Sequence, residues 1–307
     1  MDALLYNYGS LIDKIRKDRN LTRQELCDDI MSVRNYQRFA SNEISISNDK
    51  IIKLIDRLGL DYFTFYDIYK SNDGDKFNGL RKAYGYAINW QFEEAEKELN
   101  KIDESSLTSY YNNQMYTFTK VFMKKYYYKT ATANTYRTLE KAIDYPNIFL
   151  KKILNLFEIN ALITLNAEKI KSNNTEIIDF FMELVKLDLH SYGIPSKAIS
   201  SIYASLSKNL FKLDRFEETI LYSDLGIKFC KDNHLATGLI NLYGYKVLAQ
   251  HRLGKTKESM ETTTLMYALL FLEESDEKKN VYIEIIERNT GYKYNDYLLS
   301  VKKNDGN

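Results

Sequence analysis

The side chains best suited to recognition chemistry lie between Arg23 and Arg38. Arg34 and Arg38 are four residues apart, which puts both guanidiniums on one side of a helix. Each guanidinium fork matches the paired acceptors on the major-groove edge of guanine. Taken alone, such a pair is also what a solvated helix face carries, so the surrounding segment must decide. Other chemistries find little support. The histidines are His190, His234 and His251, and there is no Gly-rich phosphate loop, GxSxG elbow or paired-carboxylate motif. Cys230 and His234 are also four apart, with His251 further on. Zinc needs three or four convergent ligands, and no CxxC or HExxH supplies the rest. These residues predict no enzyme, no metal centre and no cofactor.

The elements that must hold Arg34 and Arg38 read as a compact helix-turn-helix over residues 11–58. Thr22-Arg-Gln-Glu25 is a capping box: the Thr22 hydroxyl accepts from the Glu25 amide, and the Glu25 carboxylate accepts from the Thr22 amide. Leu26 and Ile30 follow on one apolar side. Ser32 is a second N-cap two residues later, leaving room for a tight turn and a new helix, Val33 to Ala40. Tyr36 and Phe39 point inward there, while Val33, Arg34, Gln37 and Arg38 point away from the core. Leu11 and Ile15 stripe the preceding helix, and Leu21 closes onto it. Ser47-Asn48-Asp49 caps a fourth helix carrying Ile51, Leu54, Ile55 and Leu58, which Gly59 ends. Phe63, Phe65, Tyr66 and Ile68 predict a fifth helix packing underneath. A short capped helix with a polar, cationic outer face can enter a DNA major groove, so Arg23, Ser32, Val33, Arg34, Gln37 and Arg38 are the candidate DNA contacts.

Composition bounds the rest. A chain of 307 residues suits two or three domains, and with only 2 Pro and 12 Gly it should form long helices joined by short polar turns. Residues 1–70 carry about 11 basic and about 11 acidic side chains, so attraction to phosphate is weak overall. The balance is local: Lys14, Arg16, Lys17, Arg19, Arg23, Arg34 and Arg38 face only Asp18, Glu25, Asp28 and Asp29 within the segment. Cys27 and Cys230 form no disulfide framework, and Cys27 reads as a core thiol. MDALLYNYGSLIDKI lacks a basic region followed by an apolar run, and no stretch approaches a membrane span, which predicts a cytoplasmic protein without membrane contact.

Ser71-Asn-Asp-Gly-Asp75 marks a linker over 71–77, dividing a DNA-binding domain, 1–70, from residues 78–307. Beyond it the pattern repeats. Leu80–Leu99 is two helices with a turn at 89–91. Tyr203–Phe229 repeats that design about Leu213-Asp-Arg-Phe216, and Tyr243–Leu270 about Leu253-Gly-Lys, offset by about 40 residues. Weaker hairpins fit Tyr110–Ile143 and Ile148–Leu189, and Val281–Val301 adds capping helices. The array resembles the tetratricopeptide pattern, with Ala95, Thr219 and Ser259 at the closely packed position of the second helix. That resemblance implies an all-α right-handed superhelix of about five hairpins. Its concave face would take Tyr84, Lys208, Phe211, Lys212, Asn241, Leu248, His251 and Arg252. Amide and cationic groups among apolar ones suit an extended peptide of about five to ten mostly apolar residues. Asn241 would hold its backbone, and Arg252 a carboxylate.

Residues 11–58 resemble an XRE-type, phage-repressor-like helix-turn-helix. That domain followed by degenerate tetratricopeptide-like repeats is similar to the cytoplasmic peptide-pheromone receptors of the Rgg, PlcR and PrgX group. Ile30-Met-Ser-Val-Arg-Asn-Tyr36 and Ile44-Ser-Ile-Ser47 are most similar to the PrgX and Rgg branches. The sequence departs where the family commonly carries Glu-Asn-Gly: here it is Ala40-Ser41-Asn42, with Asn42 expected in the left-handed conformation that Gly usually supplies. The resemblance implies a dimeric transcriptional regulator that binds a pseudo-palindromic operator and a short signalling peptide. A phage- or plasmid-type repressor whose helical domain only oligomerises, or an interaction scaffold with a vestigial helix-turn-helix, would share these features.

Overall fold

A computed structural model describes residues 8–71, 78–107, 109–151, 153–189, 194–236, 238–273 and 276–304. Among them the chain is all-α, with seventeen α-helices and no strand. It divides into two compact units, Met1–Thr119 and Lys120–Asn307. The linker beyond Ser71 and the residue His190 lie outside the described residues.

The first unit begins with α1 (Tyr8–Asp18), α2 (Arg23–Cys27), α3 (Val33–Ala40), α4 (Asn48–Arg57) and α5 (Tyr62–Ser71). Caps set these limits. The Glu25 amide donates to Thr22 Oγ1 at 3.1 Å and the Thr22 amide to Glu25 Oε2 at 2.6 Å, closing the capping box. The Asn35 amide donates to Ser32 Oγ at 3.3 Å and starts α3 where the sequence placed it. Asn42 is left-handed (φ 63°) as expected, and Gly59 (φ 68°) follows α4. Leu26, Tyr36, Leu54, Ile55 and Phe65 are fully buried between the five helices. The α1–α3 contact is backbone to backbone, because a Cβ on Gly9 would lie 2.1 Å from the Phe39 carbonyl oxygen. Phe63, expected in the core, is 79% exposed. The inward stripe of α5 is instead Phe65 and Tyr69, four residues apart, against whose rings Tyr8 stands edge-on. A helical pair, α6 (Asn78–Ile88) and α7 (Phe92–Leu99), completes the described helices that lie wholly in this unit.

The boundary between the units falls inside α8 (Tyr110–Tyr126). After α9 (Ala133–Ala142) come four helix pairs: α10 (Leu156–Lys169) with α11 (Glu176–Leu184); α12 (Ser196–Lys212) with α13 (Phe216–Asp232); α14 (Leu239–Arg252) with α15 (Thr256–Leu269); and α16 (Asp276–Thr290) with α17 (Tyr294–Asn304). Helices α10, α12, α14 and α16 pack in succession, side by side. The hairpin expected over Ile148–Leu189 starts late. Residues 147–150 form a 3-10 turn, and α10 begins only after Asn155, whose side chain accepts from the Phe157 and Glu158 amides.

The hairpin turns explain why the repeat signature is degenerate. One residue in each of the six described hairpin turns is left-handed: Trp90, Lys129, Asn173 and Asp214 in four of them, and glycine only at Gly254 and Gly291. Asn and Asp tolerate that region through local side-chain hydrogen bonds, so glycine is dispensable there. The small residues are where the pattern put them: Ala95, Thr219 and Ser259 are fully buried. The hydroxyls are satisfied, Thr219 donating to the Arg215 carbonyl at 2.9 Å and Ser259 to the Val247 carbonyl at 3.2 Å.

Candidate functional site

Helix α3 is short, so its placement depends on side chains from its neighbours. The Tyr36 hydroxyl donates to Asp13 Oδ1 on α1 at 3.1 Å, and Arg16 Nε donates to the same oxygen at 2.9 Å. A second Arg16 nitrogen bonds the Leu21 carbonyl, so one guanidinium ties α1 to the start of the next turn. Lys17 Nζ lies 2.9 Å from Asp13 Oδ2. Burial alone would raise the Asp13 carboxyl, but the bonds from Arg16, Lys17 and Tyr36 outweigh it and hold the group down at about 2. Burial, then the adjoining carboxylate, pushes the Tyr36 hydroxyl well up. From α4, Arg57 reaches the turn before α3, bonding the Asp28 carbonyl and, at 2.7 Å, Asp29 Oδ1. Asp29 is itself left-handed (φ 52°), a turn conformation that Arg57 braces.

Braced on its inner side by Tyr36 and Phe39, α3 presents Arg34, Gln37 and Arg38 to solvent. Arg23 is exposed at the start of α2. Ser32 is exposed too, its hydroxyl engaged as the cap. Arg38 Nε is 3.5 Å from Glu43 Oε2, an exposed contact that screens its charge only weakly. Two expectations change. Val33 is half-buried against the core rather than directed away from it. Arg16, counted among the surface cations, is only 8% exposed and serves the Asp13 network. The side of α3 open to a partner is therefore Arg34, Gln37 and Arg38, at positions i, i+3 and i+4.

The second unit gathers several of the residues expected to line a peptide groove. Asn241 and Leu248, with Tyr245, Met266 and Tyr282, line a small cavity of about 30 Å³ between α14, α15 and α16. Asn241 Oδ1 accepts from the Tyr282 hydroxyl at 3.0 Å. Phe211 reaches Tyr245, ring centroids 6.0 Å apart. Lys208 is half-buried on α12, and Lys212 is exposed one turn on. Others lie apart. His251 packs edge-on against Tyr292 at 5.8 Å, after α16, and Arg252 is exposed at the end of α14. Tyr84 is in the first unit, half-buried against Phe118. Cys230 is buried with its Sγ 3.2 Å from Ser200 Oγ, while His234 is exposed in the turn that follows.

Sequence reasoning missed Lys125, Tyr126, Tyr245 and Tyr282. Burial first, then Lys208, brings the Lys125 amine down to about 8, and burial with Lys212 lowers Lys208. Burial pushes Tyr245 up to about 12, with Tyr282 and Tyr126 adding to it, and raises Tyr282. Lys125, Lys208, Tyr245 and Tyr282 are only half-buried, yet burial is the leading cause of each of these shifts. Such groups have protein atoms close around them while water still reaches part of the side chain. Tyr245, four residues after Asn241, was the one legible signal. A wider cleft between α9 and α10, about 410 Å³, is edged by Lys169–Glu140 and Lys171–Glu168 pairs that satisfy each other.

No protein-family model matches the chain, and no curated protein matches it. Solved structures match its fold. Bacillus thuringiensis PlcR in complex with the peptide PapR7 and DNA superposes with a TM-score of 0.64 at 17% identity, over 91% of this chain and 98% of that one. PrgX superposes at 0.58 with 13% identity, over 92% and 93%. The Streptococcus dysgalactiae SHP pheromone receptor Rgg2 superposes at 0.56 with 14% identity, over 92% and 98%. The chain thus shares the fold of these regulators along nearly its whole length.

Proposed function

We propose that this chain is a transcriptional regulator that binds DNA through α3 and a short peptide through its C-terminal hairpins, the peptide altering the DNA-bound arrangement. The observation that carries the reading is the braced, capped helix α3 with Arg34, Gln37 and Arg38 exposed on one side. The shared fold supports it, since the PlcR structure holds a peptide and DNA together. In this reading residues 1–70 bind DNA, 71–77 link, and 78–307 bind peptide and dimerise. One helix-turn-helix covers a half-site, and a segment with balanced charge has little non-specific affinity, so two copies read a pseudo-palindrome with half-sites about 34 Å apart. Among the described residues no helix is long and apolar enough to cross a membrane. The reading places the chain in the cytoplasm, acting without catalysis or cofactor. A peptide changes DNA binding only through unequal affinity for two arrangements of the dimer.

Selection of binding sites from random duplex DNA by the full chain tests this. The expected result is a two-fold symmetric consensus. Arg34→Ala and Arg38→Ala should each weaken binding to it by about 1–3 kcal/mol at unchanged melting temperature. Failure to enrich any sequence, or full affinity in the double variant, overturns the assignment.

A further inference from the structure

Three lysines of the second unit lie close enough to feel one another's charge without a carboxylate paired to any of them among the described residues. Lys125 near the end of α8 and Lys208 and Lys212 in the last turns of α12 come from separate helices, yet each of the first two feels the charge of its neighbours. None of the three makes an ion pair among the described residues. The carboxylate that acts on Lys125 is Glu168 of α10, which already holds Lys171 at 2.7 Å and bonds Tyr136. Partly desolvated like charges cost free energy unless an anion joins them.

The surface leading away from these lysines is aromatic. Lys125 Nζ stands 5.2 Å from the Tyr126 ring centre. Tyr126 is near enough to Tyr245 to act on its hydroxyl, and Tyr245 adjoins both Phe211 and Tyr282. Tyr282 then bonds Asn241 beside a cavity that holds about one methyl group. One end of the strip is cationic, and the other has an amide and an apolar recess.

We propose that Lys125, Lys208 and Lys212 form the anchor for a ligand carboxylate, and that the occupant is a short apolar peptide running from this anchor along Tyr126, Tyr245 and Phe211 towards Asn241. The inference rests on the peptide-binding reading and adds to it where the ligand's negative charge sits. Phosphate would also meet three ammoniums, but a strip of aromatic rings adds nothing to a small inorganic anion, whereas it buries apolar side chains. The carboxylate is either the chain terminus of the peptide or an Asp or Glu side chain.

Three synthetic heptapeptide pools of mixed Leu, Val, Ile and Phe decide it. One has a free C-terminus, one a C-terminal amide, and one the amide plus a single Asp. Each is incubated with the full chain, and bound peptides are counted by mass spectrometry after gel filtration. Retention of a carboxylate-bearing pool about tenfold or more above the plain amide pool is expected. Which of the two acidic pools is retained identifies the source of the carboxylate. Lys125→Gln with Lys208→Gln should remove the preference and leave apolar binding near the amide level. Equal retention of all three pools by the wild-type chain overturns the anchor and leaves the peptide-binding reading standing. Retention of none overturns both. A preference that inorganic phosphate abolishes at micromolar concentration, with no peptide retained in its presence, assigns the anchor to phosphate and overturns the proposal.

Discussion

Two polar clusters in this chain are built in opposite ways. In the first unit, Asp13 takes bonds from Arg16, Lys17 and Tyr36, so a nearly buried carboxylate is more than matched and stays charged. In the second, Lys125 and Lys208 have no acid of their own, and burial first, then the charge of neighbouring lysines (Lys208 and Lys212 on Lys125, Lys212 on Lys208), lowers both amines. The matched cluster aims α3, because its bonds run between α1 and α3. The unmatched one is poised for something from outside. A charge that the fold has already satisfied is structural, and one that it has left wanting is the better guide to a ligand.

The comparison breaks most readily at Asp13. Asp13→Ala leaves the Arg16 guanidinium buried and the Tyr36 hydroxyl unpaired, so urea unfolding of the full chain should show a loss of about 3 kcal/mol. A loss below about 1 kcal/mol would mean the network does not brace α3. Acid sharpens the same point with a smaller effect. The Asp13 carboxyl is depressed from 3.8 to about 2, so its contribution of about 2 kcal/mol is complete above pH 4 and fades as the pH falls from about 4 to 2. The stability gap between wild type and Asp13→Asn should therefore narrow over that interval, and a constant gap would contradict the assignment. Tyr36→Phe removes one of the bonds and keeps the ring, for an expected cost of about 1 kcal/mol. Its DNA affinity should also fall if the bond orients α3. Lys208→Met is the smallest and has the opposite sign. Removing an unmatched, partly desolvated ammonium should leave the melting temperature unchanged or slightly raised, whereas a clear loss would show that Lys208 has a structural partner.

The legible part of the molecule is the part held within a few residues of chain. The Thr22–Glu25 box, the Ser32 cap and the left-handed Asn42 are contacts over two to four positions, and α3 begins and ends where they predict. The small residues Ala95, Thr219 and Ser259 could be found because helix pairing repeats them at one place in each hairpin. A further local signal went unread: Asn155-Leu-Phe-Glu158 is a capping box that sets the true start of α10. The surroundings of Tyr245 were half legible. Asn241 and Leu248 line the small cavity beside it and Phe211 packs on its ring, while Tyr84 and His251 have other surroundings.

Read alone, the residues yield an all-helical chain, the caps and limits of α3, the side of it that carries Arg34 and Arg38, and the spacing of the hairpins. Packing decides that Arg16 turns inward to Asp13 while Arg34 stays in water, that Phe63 is exposed and Phe65 buried, and that Lys125 of α8 comes near enough to Lys208 of α12 to feel its charge. The reason is range. Caps, periodicity and turns are set by backbone geometry over one or two turns of helix, whereas the state of a charge depends on which distant groups share its surroundings once the helices have packed.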